Sequence, residues 1–214
     1  MNTTQKICIS VFLAFAIVYL AAIPFRPYPG HFIVKAIPII SLAIMAFTSV
    51  AGLQGKLLFT ALLLSAAGDV TLSLGSGEYF IPGLGLFLIA HVVYIVTFSR
   101  DFKMQKSRIP IAAILVAYAV AMAIIMAPSL KEMAIPVFCY LVVITKMGIM
   151  AAFRASKSKM VLYGAVLFII SDSMIALNKF VAPVPASDYL IMITYYLAQF
   201  LIAYGYVRER EPAT

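Results

Sequence analysis

The sequence predicts an all-α, polytopic membrane protein: eight transmembrane helices in a single integral membrane domain, 1–214, with the trace of two four-helix repeats. Three observations predict it. The chain is 64% hydrophobic and only 11% charged, with a mean hydropathy of +1.05, more apolar surface than a soluble domain of this size can bury. Apolar runs of about 18 or more residues, enough to span hydrocarbon, recur along the whole chain. The segments joining them are short, which leaves no room for a second, soluble domain.

The predicted spans are 7–23, 32–51, 57–75, 80–99, 109–127, 133–152, 160–178 and 188–206. The first has Lys6 in front and Ala21 and Ala22 behind, like a secretion signal. Its apolar run is longer than a usual signal core and no clear small-x-small cleavage site follows, so it reads as a retained helix. The second carries Lys35 near its mouth and Pro38 within it. The third opens after Lys56 and holds Asp69; the fourth holds His91 and, three residues on and on the same face, Tyr94. The fifth follows a basic stretch from Arg100 to Arg108, and the sixth carries Lys146 toward its inner end, placed to snorkel to the surface. The seventh opens after Lys159 and contains Asp172, then Asn178 and Lys179. The eighth opens at Asp188 and contains Tyr195, Tyr196 and Gln199. Cys8 and Cys139 lie far apart in apolar stretches, as packing residues do.

The net charge of +8 is a topology signal, and nucleic acid is not an expected partner. With eight spans, Lys6, Lys56, Arg100, Lys103, Lys106, Arg108, Arg154, Lys157, Lys159, Arg208 and Arg210 share one side. The other side has Arg26, Lys35, Lys131 and Lys179. The positive-inside rule then makes both termini cytoplasmic, in a bacterial inner membrane. No CxxC, HExxH, phosphate-cradling glycine loop or GxSxG elbow occurs, so metal, nucleotide and serine-hydrolase chemistry find no support, and no cofactor is expected. Nothing in the sequence speaks to oligomeric state.

Two carboxylates stand inside this hydrocarbon. FIISDSMIALNKF at 168–180 centres on Asp172, and LLLSAAGDVTLSL at 62–74 on Asp69. A charged acid at mid-helix carries an apparent insertion penalty of about 2.5–3.5 kcal/mol, so its presence asks for a function. Asp69 follows Lys56, and Asp172 follows Lys159, by the same 13 residues. That puts both acids roughly 20 Å up a core of about 30 Å. Tyr195, Tyr196 and Gln199 reach a similar level from the opposite side, His91 sits near the midplane, and Gly68, Ser65 and Ser171 let helices approach the acids. The expected site is a polar pocket within the bundle, opening toward the outer leaflet, with Asp69 and Asp172 facing one another. KLLFTALLLSAAGDVTLSL aligns without a gap to KMVLYGAVLFIISDSMIAL, and KAIPII to MAIPVF. Helices 2–4 then correspond to helices 6–8, with helix-interrupting Pro38 and Pro136 at corresponding places; chance likeness of apolar segments is the alternative.

The Gly-Asp of Ala66–Asp69, HVVY at 91–94, LFIISDSMIALNKF at 167–180 and TYYLAQFLIAYG at 194–205 resemble the YhhN family over nearly the whole chain. Lys35 ahead of Pro38 also fits, although the family more often has its proline directly after the lysine. The family includes the lysoplasmalogenases, so the resemblance implies an eight-helix membrane hydrolase that takes a lysophospholipid and cleaves its vinyl ether.

That chemistry suits the residues. A vinyl ether is stable to base and is cleaved by acid, through protonation of carbon, an oxocarbenium ion and attack by water. It calls for one carboxyl that holds a proton and a second that is ionised, and two acids in hydrocarbon divide their charge in that way. Asp69 and Asp172 are the candidate catalytic pair, either of them acid or base. Lys35 and Lys179 are placed to meet the phosphate, although Lys179 also suits a structural pairing with Asp172. Tyr195, Tyr196, Gln199 and Asn178 are candidates for orienting glycerol oxygens or water. His91, with Tyr94 beside it, is a candidate proton relay or hydrogen-bond partner of Asp69. Two further readings remain at this level: a small proton-coupled transporter, and a non-enzymatic lipid-binding protein or scaffold.

Overall fold

Apolar runs punctuated by proline, glycine and short charged turns fold as helices packed side by side. The computed structural model describes residues 1–75, 77–156 and 158–210; Lys157, counted above among the basic residues, lies outside the described residues. In chain order the helices are α1 (Thr3–Ala22), α2 (His31–Ser49), α3 (Gly52–Ser73), α4 (Phe80–Ser99), α5 (Ile109–Leu130), α6 (Ala134–Ala152), α7 (Met160–Phe180) and α8 (Ser187–Arg208). Seven stretches are long and apolar enough to cross a membrane, with Lys106–Ala152 counted as one stretch of 47 residues. Inside that stretch Lys131 takes φ 47°, a short 3-10 turn follows, and α5 and α6 pack against each other. The chain is an all-helical integral membrane protein.

Local chemistry sets the ends. Asn2 caps α1 by accepting from Gln5 N, while Gln5 Oε1 accepts from Asn2 N, a capping box that satisfies two end donors. Pro110 sits in the first turn of α5, where its missing N–H breaks no helical bond. Pro38, by contrast, lies inside α2. Pro136 falls in the first turn of α6, three residues from Met133, so it interrupts nothing, and the expected match with Pro38 fails. Lys56 likewise lies inside α3, which begins at Gly52.

Helices α1 to α4 pack in chain order, as do α5 to α8; α4 packs on α6 rather than α5, and α2 on α8, which joins the two groups. The buried core runs through all the helices but concentrates on α2, α3, α4, α6, α7 and α8. Close approach depends on missing side chains. A Cβ on Gly164 of α7 would stand 2.7 Å from the Ala198 carbonyl oxygen of α8, and one on Gly68 2.6 Å from the Phe87 ring of α4. Helix α5 touches mainly α6 and α7 and keeps Ile114, Val116, Val120, Ile124 and Ile125 exposed, a lipid-facing surface. Cys8 is buried and Cys139 exposed, both free.

The two faces differ. The face bearing the termini is tied together by Gln5 to Ser49 (3.1 Å) and by a charged clasp. There Arg154 Nη2 donates to Asp101 Oδ2 at 3.1 Å and Glu209 Oε2 at 2.6 Å, and Arg210 Nη2 to Asp101 Oδ2 at 2.6 Å. Both guanidinium groups lie over the Tyr206 ring, at 4.5 and 3.6 Å. On the opposite face Arg26, just past α1, meets Asp188 at the start of α8 (2.8 Å). The site lies between these faces, nearer the second.

Candidate active site

Lys35 leaves α2 one turn before Pro38, and its ammonium stands 3.1 Å from Asp69 Oδ1 on α3. It also reaches Ser73 Oγ at 3.5 Å, itself bonded to the Asp69 carbonyl at 2.7 Å. The Tyr196 hydroxyl on α8 donates to the Lys35 carbonyl at 2.9 Å, fixing that turn of α2. Asp69 is 3% exposed and its Oδ2 has no partner, an unusual state for a buried carboxyl oxygen. The Tyr195 hydroxyl stands within hydrogen-bonding reach of the Asp69 carboxyl, outside ordinary bond geometry, and Asp172 acts on it through charge.

Asp172, on α7, sits among different partners. The Tyr140 hydroxyl of α6 donates to its Oδ2. His91 Nε2 on α4 lies 2.8 Å from the Tyr140 oxygen and 3.4 Å from Asp172 Oδ2. The expected bond between His91 and Asp69 is therefore replaced by a contact to Asp172 and Tyr140, because the imidazole is packed by Phe168 (ring centroids 4.7 Å) facing α6 and α7. Tyr94 and Gln199 form a third group: the Tyr94 hydroxyl donates to Gln199 Oε1 at 2.6 Å, and Gln199 Nε2 to the Tyr195 hydroxyl at 3.3 Å. This strut passes from α4 through α8 toward Asp69.

Cavities give the site its shape. A mouth of about 350 Å³ is lined by Arg26, Lys35, Asn178, Lys179 and Asp188. The Lys179 ammonium lies 4.1 Å from the Phe80 ring centre, and Asn178 Oδ1 accepts from Val184 N at 2.9 Å. Leu72, Phe80 and Ile175 are shared with a narrower apolar slot of about 50 Å³ ending at Tyr140 and Asp172. Beyond, a second apolar cavity of about 30 Å³ lies between α5, α6 and α7, again walled by Tyr140 and Asp172. Of the two acids, Asp172 lines both apolar cavities, while Asp69 stands behind Lys35.

Of the residues singled out from sequence, Lys35 with Asp69, His91 with Asp172, and Tyr94 with Gln199 and Tyr195 meet directly; Asn178 and Lys179 stand at the mouth. Three participants escaped that reading. Tyr140 gave one signal, a phenol within an apolar run, whose hydroxyl needs a partner when buried. Arg26 read only as a topology charge, and Ser73 was not singled out.

Charged and hydrogen-bonding side chains gathered inside an apolar bundle, beneath a cationic mouth, define a polytopic membrane protein whose polar centre lies within its transmembrane core. The YhhN family model matches residues 30–206, and the chain belongs to the YhhN family. It is 36% identical to human lysoplasmalogenase TMEM86A over 164 residues, 72% of this chain and 67% of that one. Human lysoplasmalogenase TMEM86B is 30% identical over 183 residues, 85% and 77% of the two chains. The lysoplasmalogenase of Mycobacterium bovis is 32% identical over 212 residues, 91% and 80%. No solved structure matches the chain.

Proposed function

We propose that this protein is a lysoplasmalogenase, a membrane hydrolase acting on an ether bond, which uses water to cleave the vinyl ether of a lysophospholipid to a fatty aldehyde and a glycerophospho-alcohol. The observation that carries the reading is the position of Asp172, at the end of an apolar slot that opens beside Lys35, Lys179 and Arg26. A single-chain lipid has the matching polarity: an anionic phosphate for the mouth and a hydrocarbon chain for the slot. The relatives' activity supports the same conclusion.

The roles follow from the hydrogen bonds. Asp172 accepts from Tyr140 and stands beside His91, which suits the ionised member of the pair. Asp69, with Oδ2 unpartnered, is the proton donor: as the phosphate draws Lys35 away, the carboxyl takes up a proton from water and holds it in its apolar surroundings. Asp69 protonates the alkene carbon β to the ether oxygen, and the Asp172 carboxylate stabilises the oxocarbenium ion left on the oxygen-bearing carbon. Water bonds to that ion's carbon and gives its proton to Asp172. Asp172 passes the proton to the departing glycerol oxygen as the carbon–oxygen bond breaks, while the hemiacetal hydroxyl proton returns to Asp69. One water is consumed and both acids are restored.

The same reading takes the turn at Lys131 and the packing of α5 on α6 as two crossings, eight in all, forming a single membrane domain. It puts both termini on the cytoplasmic side of a bacterial inner membrane, supported by the basic residues gathered on that face. A duplication relating α2–α4 to α6–α8 is supported by the gapless match of α3 to α7 in sequence, which aligns Asp69 with Asp172. The test of function is to incubate the protein, reconstituted in liposomes, with lysoplasmalogen and assay released aldehyde. Aldehyde formed by the protein and absent without it supports the reading; none formed overturns it.

A further inference from the structure

We infer that Tyr140 is a positioning residue for this reaction, its hydroxyl, oriented by His91, holding the Asp172 carboxylate at the junction of the two apolar cavities. The inference rests on the vinyl-ether hydrolase reading and adds to it a residue that neither the paired-acid pattern nor the sequence motifs contain.

The direction of the hydrogen bonds is set by chemistry. A neutral imidazole has one donor and one acceptor nitrogen. His91 Nε2 faces two oxygens, those of Tyr140 (2.8 Å) and Asp172 (3.4 Å), while Nδ1 is buried without a partner. The hydrogen therefore belongs on Nε2, and Nδ1 carries only a lone pair. With the Tyr140 oxygen accepting from His91, its single hydrogen is free for Asp172 Oδ2. The chain of donors runs one way, from α4 through α6 to α7.

Its placement gives it a use. Tyr140 is buried, and its ring packs against His91 with centroids 5.3 Å apart. Tyr140 and Asp172 are common walls of both apolar cavities, so a chain lying in them passes the carboxylate and the phenol together. The Tyr140 hydroxyl donates to Oδ2 with His91 Nε2 3.4 Å behind it, which fixes the carboxylate before any cation forms; fixed dipoles of this kind need no rearrangement during reaction. Phenylalanine at this position keeps the wall and the packing on His91 but removes the hydroxyl that donates to Asp172.

The experiment compares reconstituted native protein, Tyr140→Phe, Asp172→Asn and the double variant, with Tyr163→Phe, an exposed tyrosine on α7, as control. Turnover is read with lysoplasmalogen and binding with the saturated alkyl-ether lysophospholipid, which has no alkene to protonate. Expected is a fall in kcat of about 10–100-fold for Tyr140→Phe, the range of one hydrogen bond to a charged group, with Kd for the alkyl ether within about twofold of native. The double variant should be no slower than Asp172→Asn, since the hydroxyl acts through that carboxylate. Native turnover with Tyr140→Phe retaining more than half of kcat overturns the inference and leaves the function standing. Additive losses, or loss of binding in step with kcat, also overturn it, because a packing residue behaves so. Absence of turnover in the native protein overturns the function and the inference together.

Discussion

The ammonium of Lys35 stands 3.1 Å from the carboxylate of Asp69, with both side chains nearly closed to solvent, at 11% and 4% exposure. Removing one partner of such a pair leaves the other charge uncompensated, typically at about 3–5 kcal/mol. Lys35→Ala should therefore lower the unfolding midpoint in detergent, and Lys35→Ala with Asp69→Asn should recover much of the loss. A double variant no more stable than Lys35→Ala would show that the pair contributes little. In turnover assays Lys35→Ala should raise KM more than it lowers kcat, the signature of a lysine that meets the phosphate as the proposed function has it.

Asp69→Asn and Asp172→Asn should each lower kcat by about 10²–10⁴-fold, the usual worth of a general acid or base. Asparagine keeps the shape but neither donates the proton nor carries the charge. Under the proposed mechanism the two acids act as a unit, so the variant lacking both should be little worse than either single one. Aldehyde release near the native rate from either well-folded single variant removes the paired-acid mechanism.

Acid should loosen the face bearing the termini first. Partial burial works to raise the Asp101 carboxyl, but hydrogen bonds from Arg210 and Arg154, with their charges, outweigh it and hold the group below its ordinary value. A carboxyl lowered in the folded state adds stability that is fully present above its unfolded value, about 3.9, and is lost as pH falls through the folded value below that. The loss therefore falls below about pH 4. Between pH 6 and pH 3 the unfolding midpoint of Asp101→Asn should drop less than that of the native protein; parallel drops would mean the clasp contributes nothing.

Gly164→Ala should destabilise the α7–α8 pair by about 1–3 kcal/mol, the usual cost of overpacking. The added methyl meets the Ala198 carbonyl oxygen at 2.7 Å and Ile202 Cγ1 at 2.8 Å, and backbone cannot step aside as a side chain can. Because these helices carry Asp172 and Tyr195, activity should fall with the unfolding midpoint. An unchanged midpoint would mean that the helices part at no cost.

Helix positions were legible in the sequence to within a few residues, because hydrocarbon demands long apolar runs and tolerates no other exposed backbone. The two acids were legible for the same reason: in so apolar a chain a carboxylate has no bland surroundings. Partner choice was not. Whether His91 turns to Asp69 or Asp172 depends on the rotation of α4 against α6, and periodicity along one helix says nothing about its neighbour's rotation. Tyr140 stayed hidden because tyrosine is ordinary in membrane helices until its hydroxyl is seen beside an acid. Pro136 misled in the opposite way: its likeness to Pro38 is real in sequence, but α6 starts only two residues before it.

Under the proposed function, the apolar cavity between α5, α6 and α7 would sort the two products by phase. An aldehyde formed at Asp172 would have its chain beside the lipid-facing helix α5 and a sideways route to the bilayer, while the glycerophospho-alcohol would depart through the charged mouth into water. The two halves are then parted by an oil–water boundary, and recombination requires them to meet across it. Inhibition by accumulated aldehyde should accordingly track its mole fraction in the membrane, and diluting the liposomes with fresh lipid should relieve it where diluting the buffer does not.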